Sequence, residues 1–135
     1  MTSPSPSVPR ADRRRALLVE LINIPSESHH EHHLANWTET QLRQSPHGEV
    51  LRAGDEVVFR FPALAGKPKI IFCGHLDTVP ANDNQTARVE GDRVYGLGAT
   101  DLKAGLAVFL DLIETLGLTT GCADPNRNSR ALAEG

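Results

Sequence analysis

Three side chains that can bind a metal ion lie in two short segments of the sequence. His75 and Asp77 follow the apolar run 70–72, and Asp101 follows the glycine-rich stretch 96–98. The apolar run is typical of a buried strand, and side chains along a strand alternate between its faces. We therefore expect His75 and Asp77 on one face at the end of a strand. A metal-binding histidine usually donates its second ring N–H to a carboxylate or carbonyl, a role that suits Asp77.

Both segments also have a simpler interpretation. A His-x-Asp pair by itself is more often a surface hydrogen bond than a metal site. Apolar residues at helical spacing begin at Leu102, so Asp101 is predicted at a helix N-terminus, where a carboxylate acts as a cap. A carboxylate that bridges two cations must be ionised and immobilised in the same way. The pattern thus indicates either a helix cap or half of a two-metal site.

The two segments together resemble a known pair of motifs. Residues 74–80, GHLDTVP, and residues 96–105, GLGATDLKAG, are similar in order, spacing and context to the signature of the zinc-dependent aminoacylase and deacylase family. Within that family the sequence most resembles the succinyl-diaminopimelate desuccinylases. Acetylornithine deacetylases and carboxypeptidase-G-like deacylases are the alternatives. The resemblance implies metal-dependent hydrolysis of a linear amide in a small N-acyl amino acid, within lysine and diaminopimelate biosynthesis.

The resemblance also implies a role for each of the three side chains. His75 would bind one metal ion, Asp101 would bridge two, and Asp77 would act in catalysis by orienting His75. The implied ions are two Zn²⁺ per complete site, with Co²⁺ as an alternative. Family members often carry a cis peptide bond after the bridging aspartate, here Asp101-Leu102, and such a bond is rare outside proline.

Other parts of the family's site are not found in the sequence. The family uses an adjacent pair of glutamates, a further acid and a histidine near the C-terminus, whereas this sequence has no Glu-Glu dipeptide and no histidine after Asp101. The family's dimerisation domain is also expected downstream. We therefore expect a truncated chain that lacks the general base, holds metal at partial occupancy at most, and is inactive alone. A non-catalytic remnant without activity is the alternative.

The expected fold is α/β, a mixed sheet with packed helices that forms the N-terminal piece of a two-metal, exopeptidase-like catalytic domain. Residues 13–116 would form this piece, after a flexible segment 1–12 and before a non-homologous, disordered tail 117–135. The spacing predicts a first helix with an apolar stripe, a second helix at about 31–44, and a third from 102. Turns at 53–55 and 91–92 predict two β-hairpins. Cys73 is predicted to be a small buried residue beside the site.

Composition narrows the possible partners. The formal net charge of −3 and the pI near 6.0 argue against broad nucleic-acid affinity. No apolar run reaches transmembrane length, and the Ser/Pro-rich start lacks the apolar region of a signal peptide. The expectation is a cytoplasmic chain that acts on a small molecule, without membrane or nucleic acid.

Two further patterns resemble binding sites, but each has a simpler interpretation. The tract 29–33, HHEHH, contains histidines at the i, i+4 spacing of helical zinc ligands, but a surface helix start with adventitious metal capture is the favoured interpretation. Gly96-x-Gly98 resembles the start of a dinucleotide loop. Asp101 stands where the third glycine would be, and an aspartate would repel pyrophosphate, so a nucleotide site is rejected.

Overall fold

The computed structural model describes residues 9–120, with side chains for residues 9–117. In chain order the elements are α1 (Arg10–Asn23), α2 (His32–Arg43), β1 (Glu49–Ala53), β2 (Glu56–Arg60), β3 (Arg88–Glu90), β4 (Arg93–Tyr95), a π-helical turn (Ala99–Lys103) and α3 (Ala104–Thr120). The proposed boundary at residue 116 lies inside α3, whose last residues are 117–120. The rest of the expected tail, 121–135, lies outside the described residues, as do residues 1–8 of the expected flexible segment 1–12. Residues 10–12 of that segment belong to α1.

The first helix forms around the apolar stripe that its sequence predicts. Leu17, Leu21 and Ile22 are buried. Leu17 and Leu21 form the centre of the core with Leu34 of α2 and Ala107 of α3. The core is thus a three-helix cluster. No helix among residues 9–120 is both long and apolar enough to span a membrane.

The predicted second helix and both predicted hairpins are confirmed. Helix α2 begins at His32 and ends at Arg43. Strands β1 and β2 pair antiparallel with Val50 opposite Phe59, and in β2 every second residue is better buried. Strands β3 and β4 form a second antiparallel pair.

The single mixed sheet that the sequence predicts is not found among residues 9–120. Helices and strands are both present, as expected for an α/β chain, but the strands form two separate two-stranded antiparallel sheets. The parallel contact in this part of the chain is an isolated bridge between Glu27 and Thr78.

The buried strand predicted before His75 is also wrong. Residues 61–76 contain no strand, and Ile70 and Ile71 are 77% and 73% exposed. Cys73, predicted to be buried, is exposed. One side of the segment packs on α3, where the Phe72 ring lies 5.6 Å from the ring of Phe109. A strand needs a neighbour to pair its N–H and C=O groups, and neither described hairpin lies alongside this segment.

Helix α3 and the turn before it bury small and charged positions that the apolar pattern does not predict, while part of that pattern also packs on the core. Ala107 and Asp111 of the helix are buried, and so is Lys103, the residue just before it. Leu116 is exposed. Burial of a charge is tolerated when it is paired. The carboxylate of Asp111 accepts a hydrogen bond from Arg14 Nε at 2.8 Å, and Arg10 and Arg13 lie within ion-pair distance. Polar partners on α1 thus allow charged residues to face the core.

Candidate metal centre

His75 and Asp101 meet although 26 positions separate them in the sequence. His75 Nε2 lies 2.9 Å from Asp101 Oδ1. The hydrogen bond to Asp101 is the main cause of a raised pKa of His75, and the main-chain carbonyl of Asp77 raises it further. Both side chains face solvent, so an ion can reach their facing atoms.

Asp77 contacts the other nitrogen of the same ring. His75 Nδ1 lies 3.0 Å from the main-chain oxygen of Asp77 and 3.1 Å from its Oδ1. A carbonyl oxygen only accepts hydrogen bonds, so Nδ1 carries the proton and donates it. In the protonated ring Nε2 also carries a proton and donates it to Asp101 Oδ1. Loss of that proton leaves on Nε2 a lone pair directed at Asp101, and a metal ion would take the place of the proton.

The segment that carries His75 and Asp77 is held by the loop after α1. The buried Ser26 hydroxyl donates to the main-chain oxygen of Leu76 at 2.7 Å, and Thr78 N donates to Ser26 O at 2.8 Å. The Ser28 hydroxyl donates to Asp77 Oδ2 at 2.6 Å and is the main cause of a lowered pKa of Asp77. The loop therefore fixes both the backbone and the carboxylate next to His75.

Asp101 lies in an irregular turn before α3. Asp101 and Leu102 have non-helical backbone angles, and the peptide bond between them is cis. Gly98 begins the turn with φ +75°, and a Cβ there would lie 2.7 Å from Thr78 Cγ2. Any side chain at Gly98 would thus strain the backbone and collide with the His75 segment. Asp101 precedes α3 by three residues and contacts His75, which goes beyond the predicted helix cap.

The three side chains line a cavity of about 420 Å³ between the His75 segment and the turn. Its charged lining groups are His75, Asp77 and Asp101, so the carboxylates outnumber the one cationic group. An imidazole nitrogen facing a carboxylate oxygen is a donor set that suits Zn²⁺, and ligands on a tetrahedral zinc ion lie about 3.3 Å apart. The site thus fits a divalent cation and disfavours an anion.

The described part of the chain supplies only part of such a coordination sphere. Catalytic zinc commonly has three protein ligands. Among residues 9–120, no group of three or more histidine, cysteine or acidic side chains is arranged to hold an ion. His75 and Asp101 are two facing donors, whereas Asp77 lies behind the ring.

Comparison with protein families matches residues 71–121 to peptidase family M20/M25/M40. This range contains all three site residues. Residues 71–121 are thus similar to a segment of that family. The match extends past residue 116, where the sequence predicts the resemblance to end.

Individual relatives of the family agree with this assignment. A putative succinyl-diaminopimelate desuccinylase DapE of Mycobacterium tuberculosis is 43% identical over 105 residues, which cover 77% of this chain and 29% of the relative. A succinyl-diaminopimelate desuccinylase of Corynebacterium glutamicum is 40% identical over 107 residues, covering 77% and 28%. One of Gluconobacter oxydans is 46% identical over 50 residues, covering 33% and 13%. The chain spans less than a third of the length of these curated relatives.

Sequence reasoning missed three residues that shape the site of this family segment. Ser28 bonds to Asp77, Thr78 has a buried hydroxyl without a described partner at the cavity wall, and Lys103 is buried beneath the turn. The position of Thr78 in motif 74–80 and of Lys103 in motif 96–105 could have indicated these two residues. No spacing rule connects Ser28 to Asp77, 49 positions away.

The histidine tract 29–33 does not join this centre. His32 Nδ1 lies 3.0 Å from Asp55 Oδ1, on the side of the β1–β2 turn. His30 Nδ1 contacts the main-chain oxygen of Ser28 at 3.4 Å. These contacts are those of a surface helix start, as the sequence favours.

Proposed function

We propose that this chain contributes part of the metal centre of an enzyme that hydrolyses N-succinyl-diaminopimelate to succinate and diaminopimelate. One geometric observation carries the proposal: His75 directs Nε2 at Asp101 while Asp77 accepts from Nδ1. Similarity to desuccinylases supports the choice of substrate. Among residues 9–117, no side-chain contact favours the acetylornithine deacetylase alternative over it.

In this proposal His75 Nε2 and the Asp101 carboxylate are the ligands of Zn²⁺, or of Co²⁺ in its place. When bound, the ion would act as a Lewis acid on the acyl carbonyl and on water. Asp77 is a positioning residue, because it contacts the ring rather than the cavity centre. It holds the proton on Nδ1, fixes the ring plane and increases the basicity of Nε2.

The same contacts leave the general base unassigned. Asp101 faces His75 as a proposed ligand, and Asp77 is occupied by Nδ1 and by the Ser28 hydroxyl. Neither carboxylate is therefore free to take a proton from water. Since the sequence has no adjacent glutamates, we expect the 135-residue chain alone to bind metal weakly and to release no succinate.

A chimera tests whether this segment supports the reaction. Residues 13–116 would replace the matching segment of the Mycobacterium tuberculosis relative, and succinate release from N-succinyl-diaminopimelate would be measured with zinc present. We expect turnover in the chimera and loss of at least about a hundredfold in its His75→Ala variant. A chimera with His29, His30, His32 and His33 all replaced by alanine should keep its activity.

A folded, zinc-binding chimera that releases no succinate would contradict the proposal. Acetate release from N-acetylornithine under the same conditions would instead identify the alternative deacylase. Circular dichroism and zinc content, measured on each variant, separate loss of folding or metal from loss of chemistry.

A further inference from the structure

Lys103 is a buried charged side chain directly beneath the metal centre. The residue is 2% exposed, and its ammonium donates to the main-chain oxygens of Leu21 at 2.7 Å and Ile24 at 2.9 Å. Taking an ammonium group out of water is costly unless it is hydrogen-bonded. The two carbonyls provide that compensation.

These carbonyls belong to the C-terminal end of α1. Leu21 is in its last turn, and Ile24 is the residue that follows the helix. The last carbonyls of a helix lack partners within the helix and carry the negative end of its dipole. Lys103 therefore caps α1 from a different element.

The backbone of Lys103 also closes the turn that carries Asp101. Lys103 N donates to Gly98 O at 2.9 Å, so the two bonded residues enclose Asp101. One residue thus joins the Asp101 turn, through its main chain, to the end of α1, through its side chain.

The end of α1 is also the anchor of the His75 segment. The chain continues from Ile24 into Ser26, which bonds to Leu76 and Thr78 on either side of Asp77. Both halves of the metal centre are therefore hydrogen-bonded to the same few residues at the end of α1 and in the loop that follows it. Among the described residues, the Asp101 side chain is hydrogen-bonded to His75. The position of Asp101 relative to α1 is therefore set by the backbone of its turn.

We propose that Lys103 is a positioning residue for the metal centre, which sets the separation of His75 and Asp101 by tying the Asp101 turn to the end of α1. The proposal rests on the proposed function in that the centre is taken to bind a metal ion. It assigns Lys103 a role beyond filling the core, because a residue of equal volume without donors would keep the packing and lose the tie.

Cobalt binding by the full 135-residue chain tests this role. Lys103→Met keeps most of the volume and removes the donors, and Lys103→Arg keeps the donors. The control is Leu42→Ala, a buried residue of α2 whose loss should destabilise the fold without contact to the centre. The readouts are thermal midpoint, Co²⁺ affinity with its visible absorption spectrum, and the NOE between the His75 ring and the Asp101 β protons without metal.

We expect Lys103→Met and Leu42→Ala both to lower the thermal midpoint. Only Lys103→Met should also weaken Co²⁺ binding by about 10–100-fold, change the spectrum and lose the NOE. Lys103→Arg should keep a large part of the Co²⁺ affinity and of the NOE. Equal cobalt affinity, spectrum and NOE in Lys103→Met and Leu42→Ala would overturn the proposal.

If Lys103→Met does not fold, Lys103→Gln, whose shorter and neutral side chain keeps an amide NH2 group, takes its place. Weaker Co²⁺ binding, a changed spectrum and a lost NOE are again expected. The NOE comparison needs no metal. A wild-type chain that binds no cobalt would therefore contradict the proposed function, while the NOE in the variants would still decide the role of Lys103.

Discussion

The Ser28 hydroxyl donates a 2.6 Å hydrogen bond to Oδ2 of Asp77, and the other oxygen of that carboxylate lies 3.1 Å from the His75 ring. Asp77 therefore has a partner on each side. The loop after α1 reaches the imidazole through this carboxylate. Ser28 influences His75 without touching the cavity centre.

Replacing Ser28 by alanine should raise the pKa of Asp77 towards its ordinary value. The Ser28 hydrogen bond is the largest cause of the lowered pKa, because it stabilises the ionised carboxylate. Titration of the Asp77 carboxyl carbon by NMR measures the change. Thr40→Ala, which removes a hydroxyl bonded to Asn36 O in α2, is the control and should leave the titration unchanged. An unshifted Asp77 titration in Ser28→Ala would contradict the assignment.

The His75–Asp101 contact should give the metal-free chain a pH-dependent stability. The pKa of His75 is raised in the folded state, so folding favours its protonated form. The resulting stability is fully present below the unfolded pKa of about 6.5 and is lost as pH rises through the folded pKa. Asp101→Asn should lower the His75 pKa and reduce this dependence.

Proton NMR of the His75 ring and urea unfolding at pH about 5.5 and about 8, both with a chelator present, measure the two effects. Asp92→Asn, in the β3–β4 turn, is the matched control. If Asp92→Asn lowered the His75 pKa as much as Asp101→Asn, the shift would reflect net charge rather than the observed contact.

Alanine at Gly98 should destabilise the chain more than alanine at Gly66. Both glycines have positive φ, +75° and +71°, but only at Gly98 would a Cβ meet another atom, Thr78 Cγ2 at 2.7 Å. The backbone term of about 1–2 kcal/mol is shared, and the collision should add about 1–3 kcal/mol at Gly98. Urea unfolding of the two variants gives this difference directly. Equal free energies of unfolding would mean that Thr78 moves aside at no cost.

The exposed segment before His75 should promote self-association. Ile70, Ile71 and Phe72 are all more than 60% exposed and adjacent in an extended segment, and such apolar edges favour pairing between chains. Ile71→Lys should lower the concentration dependence of the apparent mass in sedimentation experiments. Val58→Lys, at an exposed position in the already paired strand β2, should change it less. A wild-type chain that stays monomeric at high concentration would contradict this expectation.

Local patterns predicted the local elements well. The apolar stripe of α1, the helix α2 and the turns of both hairpins depend on neighbours in sequence, and the structure confirms them. The prediction of a buried strand at residues 70–72 was wrong because it depends on distant residues. A buried strand needs partners that its own sequence does not specify, and neither described hairpin lies beside it.

The site was predictable where the chemistry lies within a motif. The placement of Asp77 beside His75 follows from strand-like alternation, even though the segment has no strand pairing. The juxtaposition with Asp101 came from the family resemblance, since spacing alone also allows a helix cap. The roles of Lys103 and Ser28 were not predicted. Lys103 bonds to distant main-chain oxygens and Ser28 to a distant carboxylate, and no local pattern encodes such partners.

Zinc titration by calorimetry of the purified chain tests the central claim most directly. The wild type is compared with His75→Ala and with a variant in which His29, His30, His32 and His33 are all alanine. We predict that His75→Ala abolishes specific zinc binding and that the four-histidine variant keeps it, because Nε2 of His75 and the Asp101 carboxylate, 2.9 Å apart, are the proposed ligands. Binding lost only in the four-histidine variant, or no binding by the wild type, would contradict the account.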